Sequence, residues 1–135
     1  MGRIIALDYG KKRTGIAVTD PLKIIATGLT TVDSQTLFDF LKDYIAKEPV
    51  EKILIGEPFN LDGTATDSTA AVQHIIRRLK NTFPEIPIVT VDESFTSKMA
   101  SRAMVEMGMK KKDRQKKGII DEVAATMMLQ EFMRS

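Results

Sequence analysis

Acidic residues follow apolar segments at four well-separated places in the sequence. Asp8 comes after Ile-Ile-Ala-Leu, Glu57 after Ile-Leu-Ile-Gly, the pair Asp92-Glu93 after Ile-Val-Thr-Val, and Asp121 after Gly-Ile-Ile. If three of these segments are parallel strands, their carboxyl ends meet at one edge of a sheet, where open α/β sheets bind ligands. Carboxylates that converge raise one another's pKa unless a cation compensates for the repulsion. The pattern therefore predicts a metal site.

Carboxylate and water oxygens are the ligands that Mg²⁺ and Mn²⁺ prefer. A pair of such ions can activate a water and stabilise the leaving oxygen when a phosphodiester is cleaved. Each acid also has a purely structural alternative. Asp8 can serve as a turn former. Asp92 or Glu93 can open a helix, and Asp121 falls in the first turn of a helix if Gly118 caps it.

Positive charge is concentrated beside two of these acids. Six of the eight residues at positions 110–117 are Lys or Arg, and a Lys-Lys-Arg run follows Asp8 closely. Such runs are usually solvated loops, but next to an acidic site they can bind phosphates, where they supply affinity rather than sequence specificity. An arginine here could instead brace a carboxylate of the metal site. The predicted nucleic-acid-binding residues are Lys11, Lys12, Arg13, Lys110, Lys111, Lys112, Arg114, Lys116 and Lys117.

Hydrophobic periodicity predicts the elements that must position these residues. Strands are expected at residues 3–8, 14–19, 23–32, 52–55 and from residue 86, and the first three form an antiparallel meander. Helices are expected from Ser34, as a cap, to before Pro49, around residues 72–79, from about 96 to 107, and after Gly118. The lone His74 is expected on a helix surface. The order β-β-β-α-β-α-β-α-α predicts a mixed α/β sheet covered by helices, with right-handed parallel crossovers.

Composition limits the classes of protein to which this chain can belong. The 135 residues are 43% hydrophobic and 28% charged, which is typical of one globular domain, expected to span residues 1–135. Cysteine is absent, so disulfides and thiolate metal sites are excluded. We see no signal peptide or membrane-spanning run and expect a cytoplasmic protein without membrane partners. The net charge of +2 does not by itself indicate nucleic-acid binding.

Four blocks in order, ALDYGKKRTGIAVTD, ILIGEPFNLDGT, VDESFTS and IIDEVAATMMLQEF, resemble the YqgF family, also called RuvX. This family comprises pre-16S rRNA nucleases that are also described as Holliday-junction resolvases. The resemblance implies a three-layer RNase H-like fold with sheet order 3-2-1-4-5 and helices on both faces. It also implies a nuclease that depends on Mg²⁺ or Mn²⁺, with two ions. By motif, the catalytic and metal-binding set is Asp8, Glu93 and Asp121.

The sequence departs from the family pattern at two positions. Ser94 stands where the family usually has an arginine that could pair with a carboxylate or a phosphate. Glu57 stands where the family usually has an apolar residue. In an RNase H-like sheet this carboxylate would lie near Asp8, so Glu57 is either a fourth metal ligand or turned outward to solvent.

The resemblance favours a metal-dependent endonuclease that processes the 5′ end of pre-16S rRNA in ribosome biogenesis. Its expected partners are pre-rRNA or branched DNA and ribosomal precursor particles, and the chain is expected to be a monomer or weak homodimer. One alternative is a Holliday-junction resolvase in DNA recombination. Another is a non-catalytic nucleic-acid-binding protein of ribosome assembly. A third is a nucleotide-binding domain of the actin/Hsp70 type, although such proteins need two domains to enclose ATP.

Overall fold

The computed structural model describes residues 2–57, 69–92 and 117–134, and for residues 69, 92 and 117–121 it describes the backbone. Within these ranges, five strands and three α-helices follow the predicted order. The bounds are β1 Arg3–Tyr9, β2 Arg13–Thr19, β3 Ala26–Asp33, a 3₁₀ turn Ser34–Thr36, α1 Leu37–Lys47, β4 Val50–Glu57, α2 Thr69–Thr82, β5 Ile88–Asp92 and α3 Lys117–Arg134.

The strands form one mixed sheet with the order β3-β2-β1-β4-β5. The β1–β2 and β2–β3 pairs are antiparallel, whereas β4 lies parallel to both β1 and β5. The predicted sheet order is therefore confirmed. β1 is central because it is the shared partner of the antiparallel meander and of the parallel half, so its carboxyl end lies at the edge where β4 and β5 also end.

Side chains alternate between the two faces of the sheet, and each face has its own core. Odd-numbered residues of β1 and β4 pack with large aliphatic side chains of α1 and α2, a cluster that includes Leu7, Ile53, Leu41 and Leu79. We call this the α1/α2 face. The even-numbered residues pack under α3. The cluster on this α3 face contains Ile4, Ala6, Ala17, Leu54, Ala125 and Leu129.

Several boundaries differ from the prediction by a few residues, and two of the differences have a clear cause or consequence. β3 begins at Ala26 rather than residue 23, because the Asp20 carboxylate accepts backbone N–H bonds from Leu22, Ile24 and Ile25 at 2.7–3.2 Å and holds that segment in a turn. Lys23 has a positive φ of 58° within it. Helix α3 begins at Lys117, so Gly118 does not cap it and Asp121 lies beyond its first turn.

The remaining predictions have mixed outcomes. Exposed His74 lies on α2, as expected for a helix-surface residue. The helix predicted at residues 96–107 lies outside the described residues. Among the described helices, none has both the length and the apolar character that crossing a membrane requires.

Candidate metal and nucleic-acid site

Asp8 lies near the carboxyl end of the central strand and is half-buried. Because it continues the alternation of Ile4 and Ala6, its side chain belongs to the α3 face of the sheet. It is not the turn residue of the structural alternative, since β1 continues through Tyr9 and the register pairs Asp8 with Gly15 of β2. Asp8 has interaction partners within the protein.

The strands on either side of Asp8 present glycine at its level. Gly15 is its partner on β2. On β4, Leu7 pairs with Ile55, so Gly56 is the next residue along at the level of Asp8. Neither glycine has a side chain and both are buried, so the neighbouring strands present only backbone beside the Asp8 carboxylate.

Helix α3 runs antiparallel to β1, as two contacts at different levels of the sheet establish. Near the start of β1, the ammonium group of Lys52, which pairs with Ile4, lies 5.1 Å from the ring centroid of Phe132. Further along, at the level of Ala17 and Ala6, Gly28 lies under Glu122. The amino end of α3 therefore points toward the carboxyl end of β1.

This direction brings the backbone of Asp121 toward the end of the sheet at which Asp8 lies. Ala6 and Ala125 belong to the same cluster, and Asp8 and Asp121 follow them toward that same end. Positions 8 and 121, predicted as members of one set, thus lie at the same end of the same face.

Glu57 belongs to the opposite face. It is the last residue of β4, half-buried, and it continues the alternation of Ile53 and Ile55, which pack in the α1/α2 core. Its register partner is Asp92 of β5. The side chains of Glu57 and Asp8 therefore belong to opposite faces of the sheet. This placement favours the outward position for Glu57 over a role as fourth ligand.

The other predicted site residues lie at the limits of the described chain or beyond it. Glu93, Ser94 and the basic residues Lys110, Lys111, Lys112, Arg114 and Lys116 fall outside the described residues. Lys117 is the first residue of α3. In the described ranges, no group of three or more His, Asp or Glu side chains is arranged to hold a metal ion. The predicted set of Asp8, Glu93 and Asp121 has one member whose side chain is described.

The basic hairpin after Asp8 has a tight, braced loop. The Gly10 N–H donates to the Arg13 carbonyl at 2.9 Å, and a Cβ on Gly10 would lie 2.7 Å from that oxygen, so the turn requires glycine. Lys11 and Lys12 are exposed at its tip. Arg13 begins β2 two residues before Gly15 and so shares the face of Asp8, at a diagonal position that a long side chain can span.

Ser34 contacts this hairpin instead of capping a helix. No side-chain cap bond is made at the start of the 3₁₀ turn or of α1. The Ser34 hydroxyl donates to the Gly10 carbonyl and lies 2.9 Å from the hydroxyl of buried Thr14, and the Ser34 N–H donates to the Lys12 carbonyl at 2.9 Å. A serine before an apolar helical pattern predicts a helix cap, because serine often caps helices. No local signal points to a partner 24 residues earlier.

Comparison with known proteins establishes the family of the chain. The model of a family described as "RuvX: Holliday junction resolvase" matches residues 2–135. The chain belongs to the RuvX family. Two relatives are each called "Putative pre-16S rRNA nuclease". The Flavobacterium johnsoniae protein is 53% identical over all of this chain and 98% of its own. The Bacteroides thetaiotaomicron protein is 51% identical with the same coverage.

A solved structure shares the fold. Thermus thermophilus RuvC, whose structure was determined in complex with a Holliday junction substrate, superposes with a TM-score of 0.56 at 14% identity. The match covers 98% of this chain and 94% of RuvC. The predicted RNase H-like fold is therefore confirmed. RuvX family membership identifies the chain as one of a nuclease-type family whose functions involve nucleic acid.

Proposed function

We propose that the chain is a divalent-metal-dependent nuclease that processes the 5′ end of pre-16S rRNA, with Asp8, Glu93 and Asp121 as its catalytic and metal-binding set. The observation that supports the proposal is that Asp8 and the backbone position of Asp121 lie toward the same end of the α3 face. Glu93 directly follows β5 in the sequence, and β5 lies beside β4 in the sheet. In the proposed site, three distant segments would each supply one acid.

The donor chemistry fits Mg²⁺ or Mn²⁺. Carboxylate oxygens are hard ligands, and the absence of cysteine from the whole chain removes the softer thiolates that would favour zinc. Gly15 and Gly56, which have no side chains, flank Asp8 on the two neighbouring strands. A pair of bound divalent cations would activate the attacking water and neutralise charge on the leaving oxygen of the phosphodiester.

The protein's own residues bind and orient the substrate. Rigid placement of Asp8 in a central strand holds its carboxylate without the entropy loss that a loop residue would incur. Exposed Lys11 and Lys12 lie at the end of the sheet where β1 finishes, and Lys117 begins α3 at that same end. These cations would contact phosphates along the backbone of the nucleic acid, with strong dependence on salt and little on sequence.

Branched DNA is the second candidate substrate, since the family model is described as a Holliday junction resolvase. A four-way junction has approximate two-fold symmetry, so resolving it would suit a dimer. Pre-16S rRNA is the first candidate substrate because relatives 51–53% identical to this chain are called "Putative pre-16S rRNA nuclease". The proposal includes a cytoplasmic location, association with ribosomal precursor particles, and a monomer or weak homodimer.

The test is cleavage of two labelled substrates, a 16S rRNA fragment with its 5′ precursor extension and a four-way DNA junction, each with Mg²⁺, Mn²⁺ or EDTA. We expect metal-dependent cutting of the RNA extension. Asp8→Asn should reduce the rate at least about 100-fold, since losing even an outer-shell partner of a metal costs 10–100-fold. Glu57→Gln is the matched control and should retain the rate, because Glu57 lies on the other face.

Each outcome separates the hypotheses. Faster cutting of the junction than of the RNA would establish the resolvase instead. Salt-dependent binding without cleavage of either substrate under any metal would establish a non-catalytic binding protein. An Asp8→Asn variant that cuts as fast as the wild type would refute the assignment of Asp8.

A further inference from the structure

Ser34 joins three backbone or side-chain groups of a hairpin that is remote in sequence. Its hydroxyl donates to the Gly10 carbonyl and contacts Thr14 Oγ1 at 2.9 Å, and its N–H donates to the Lys12 carbonyl at 2.9 Å. Thr14 is fully buried. Since a buried hydroxyl requires a partner, this contact binds the hairpin and the amino end of the 3₁₀ turn into one unit.

Ser34 does not occupy a cap position of either helical segment. The N-cap of the 3₁₀ turn is Asp33 and that of α1 is Thr36, and neither side chain makes a cap bond. The Ser34 hydroxyl contacts the hairpin, and its bonds there fix the position of the hairpin.

The segment that Ser34 holds is basic. Two carbonyls of the loop, those of Gly10 and Lys12, are bonded to Ser34, and the Gly10 N–H is bonded to the Arg13 carbonyl. Exposed Lys11 lies between the two held carbonyls, with exposed Lys12 beside it. A loop whose backbone is already fixed loses less conformational entropy when its lysines bind phosphate.

We propose that Ser34 is a positioning residue for nucleic-acid binding: by fixing the Gly10 and Lys12 carbonyls, it holds Lys11 and Lys12 beside the carboxyl end of β1 where they contact substrate phosphates. This inference rests on the proposed nuclease function. Ser34 itself does not touch substrate. Its contribution is to affinity and to the Michaelis constant, whereas the reaction rate of bound substrate depends on the acids.

The test compares Ser34→Ala with Ser34→Thr and with Thr36→Ala. Thr36 is the matched control because it is exposed in the same 3₁₀ turn, and its hydroxyl bonds locally to the Asp33 carbonyl at 2.9 Å. Kd for the precursor RNA is measured from 50 to 200 mM salt, kcat and KM are measured with the preferred metal, and the exchange rate of the Gly10 amide proton is measured by NMR. All variants are checked for folding by circular dichroism.

Ser34→Ala removes the hydroxyl contacts to Gly10 and Thr14 and keeps the backbone N–H bond to the Lys12 carbonyl. We expect Kd and KM to rise about fivefold, a change of the size that hydrogen-bond losses produce. The dependence of affinity on salt should become shallower, kcat should stay within about twofold, and Gly10 exchange should accelerate. Ser34→Thr keeps the hydroxyl and should restore at least part of the affinity. A purely structural role would lower thermal stability without changing KM or the salt dependence.

The outcomes distinguish this inference from the function on which it rests. If wild-type protein binds and cleaves RNA but Ser34→Ala matches Thr36→Ala in Kd and KM, the positioning role is wrong and the nuclease proposal stands. If Ser34→Ala lowers kcat with KM unchanged, the positioning role is equally wrong. If wild-type protein neither binds nor cleaves any substrate, the nuclease proposal fails and this inference falls with it.

Discussion

The two faces of the sheet are built from residues of different size. On the α1/α2 face, Leu7, Ile16, Ile53 and Ile55 are fully buried against leucines and isoleucines of two helices. On the α3 face, the corresponding strand positions include Ala6, Ala17 and the glycines that flank Asp8. The α3 residues that pack against them include alanines. The first face buries much more apolar area, so it contributes more to folding stability.

This difference separates stability from chemistry. Small residues let α3 approach the sheet closely. A methyl group added at Gly28 would lie only 2.6 Å from Glu122 Oε1. A helix close to the sheet brings its acidic position toward a strand acid, which a thick layer of leucines would prevent. Substitutions on one face at a time can therefore separate stability from chemistry.

Leu7→Ala should give the largest loss of stability. Leu7 is fully buried in the α1/α2 core, and removing its isobutyl group leaves a cavity between sheet and helices. We expect the free energy of unfolding, measured by urea denaturation, to fall by about 2–5 kcal/mol. The fraction that remains folded should still bind nucleic acid. A loss below 1 kcal/mol would contradict the assignment of the main core to this face.

Ala6→Val perturbs the α3 face, at the residue next to Leu7 in the chain. Ala6 is fully buried under α3, so two extra methyl groups must displace the helix or strain the side chain. Overpacking of this kind costs about 1–3 kcal/mol. Because α3 carries Asp121, we also expect nuclease activity to fall more than stability alone explains. Equal activity per folded molecule in Ala6→Val and wild type would show that the spacing of α3 does not matter.

Gly28→Val should have a smaller effect, about 1 kcal/mol, because the nearest atoms belong to the flexible side chain of Glu122. Thr126 Oγ1, at 3.1 Å from the added Cβ, limits how far the neighbouring turn of α3 can adapt. Thermal unfolding would measure the loss. Thr27→Val is the control, since Thr27 is exposed on the same strand and should change stability by less than about 0.5 kcal/mol.

Asp20→Asn should produce the smallest effect, visible only as a change with pH. The Ile25 N–H, followed by those of Ile24 and Leu22, holds the pKa of the Asp20 carboxyl below its ordinary value. A lowered pKa contributes stability that is present above about pH 4 and lost as pH falls through the folded-state pKa. Between pH 5 and 2.5, the urea midpoint of Asp20→Asn should therefore fall less steeply than that of the wild type.

The control for Asp20→Asn is Asp39→Asn, an exposed aspartate of α1. If both variants flatten the transition equally, the loop bonds of Asp20 are not its cause.

Much of the fold follows from local patterns. The switch of apolar spacing after Val32 predicts α1, and the short turns between β1, β2 and β3 predict the meander, which together lead to the observed sheet order. The pattern was wrong where side chains override it. Residues 23–25 resemble a strand by apolar content, but the Asp20 carboxylate accepts the N–H groups of Ile24 and Ile25 and holds the segment in a turn.

The site was predictable as a list of acids but not as a geometry. Sequence placed Glu57 beside Asp8 because β4 neighbours β1, yet the register of that pair puts the two on opposite faces. Register is set by packing between segments about 45 residues apart in the chain, and a shift of one residue would reverse the result.

The sequence by itself determined the order of the strands and helices, the acids that end them, and the basic residues beside those acids, because periodicity and turn chemistry act over a few residues. Tertiary structure alone decided that Glu57 lies on the opposite face from Asp8, how close α3 comes to the sheet, and that Ser34 holds the basic hairpin. Each of these depends on contacts between distant segments, and such contacts form only when the two faces of the sheet are packed.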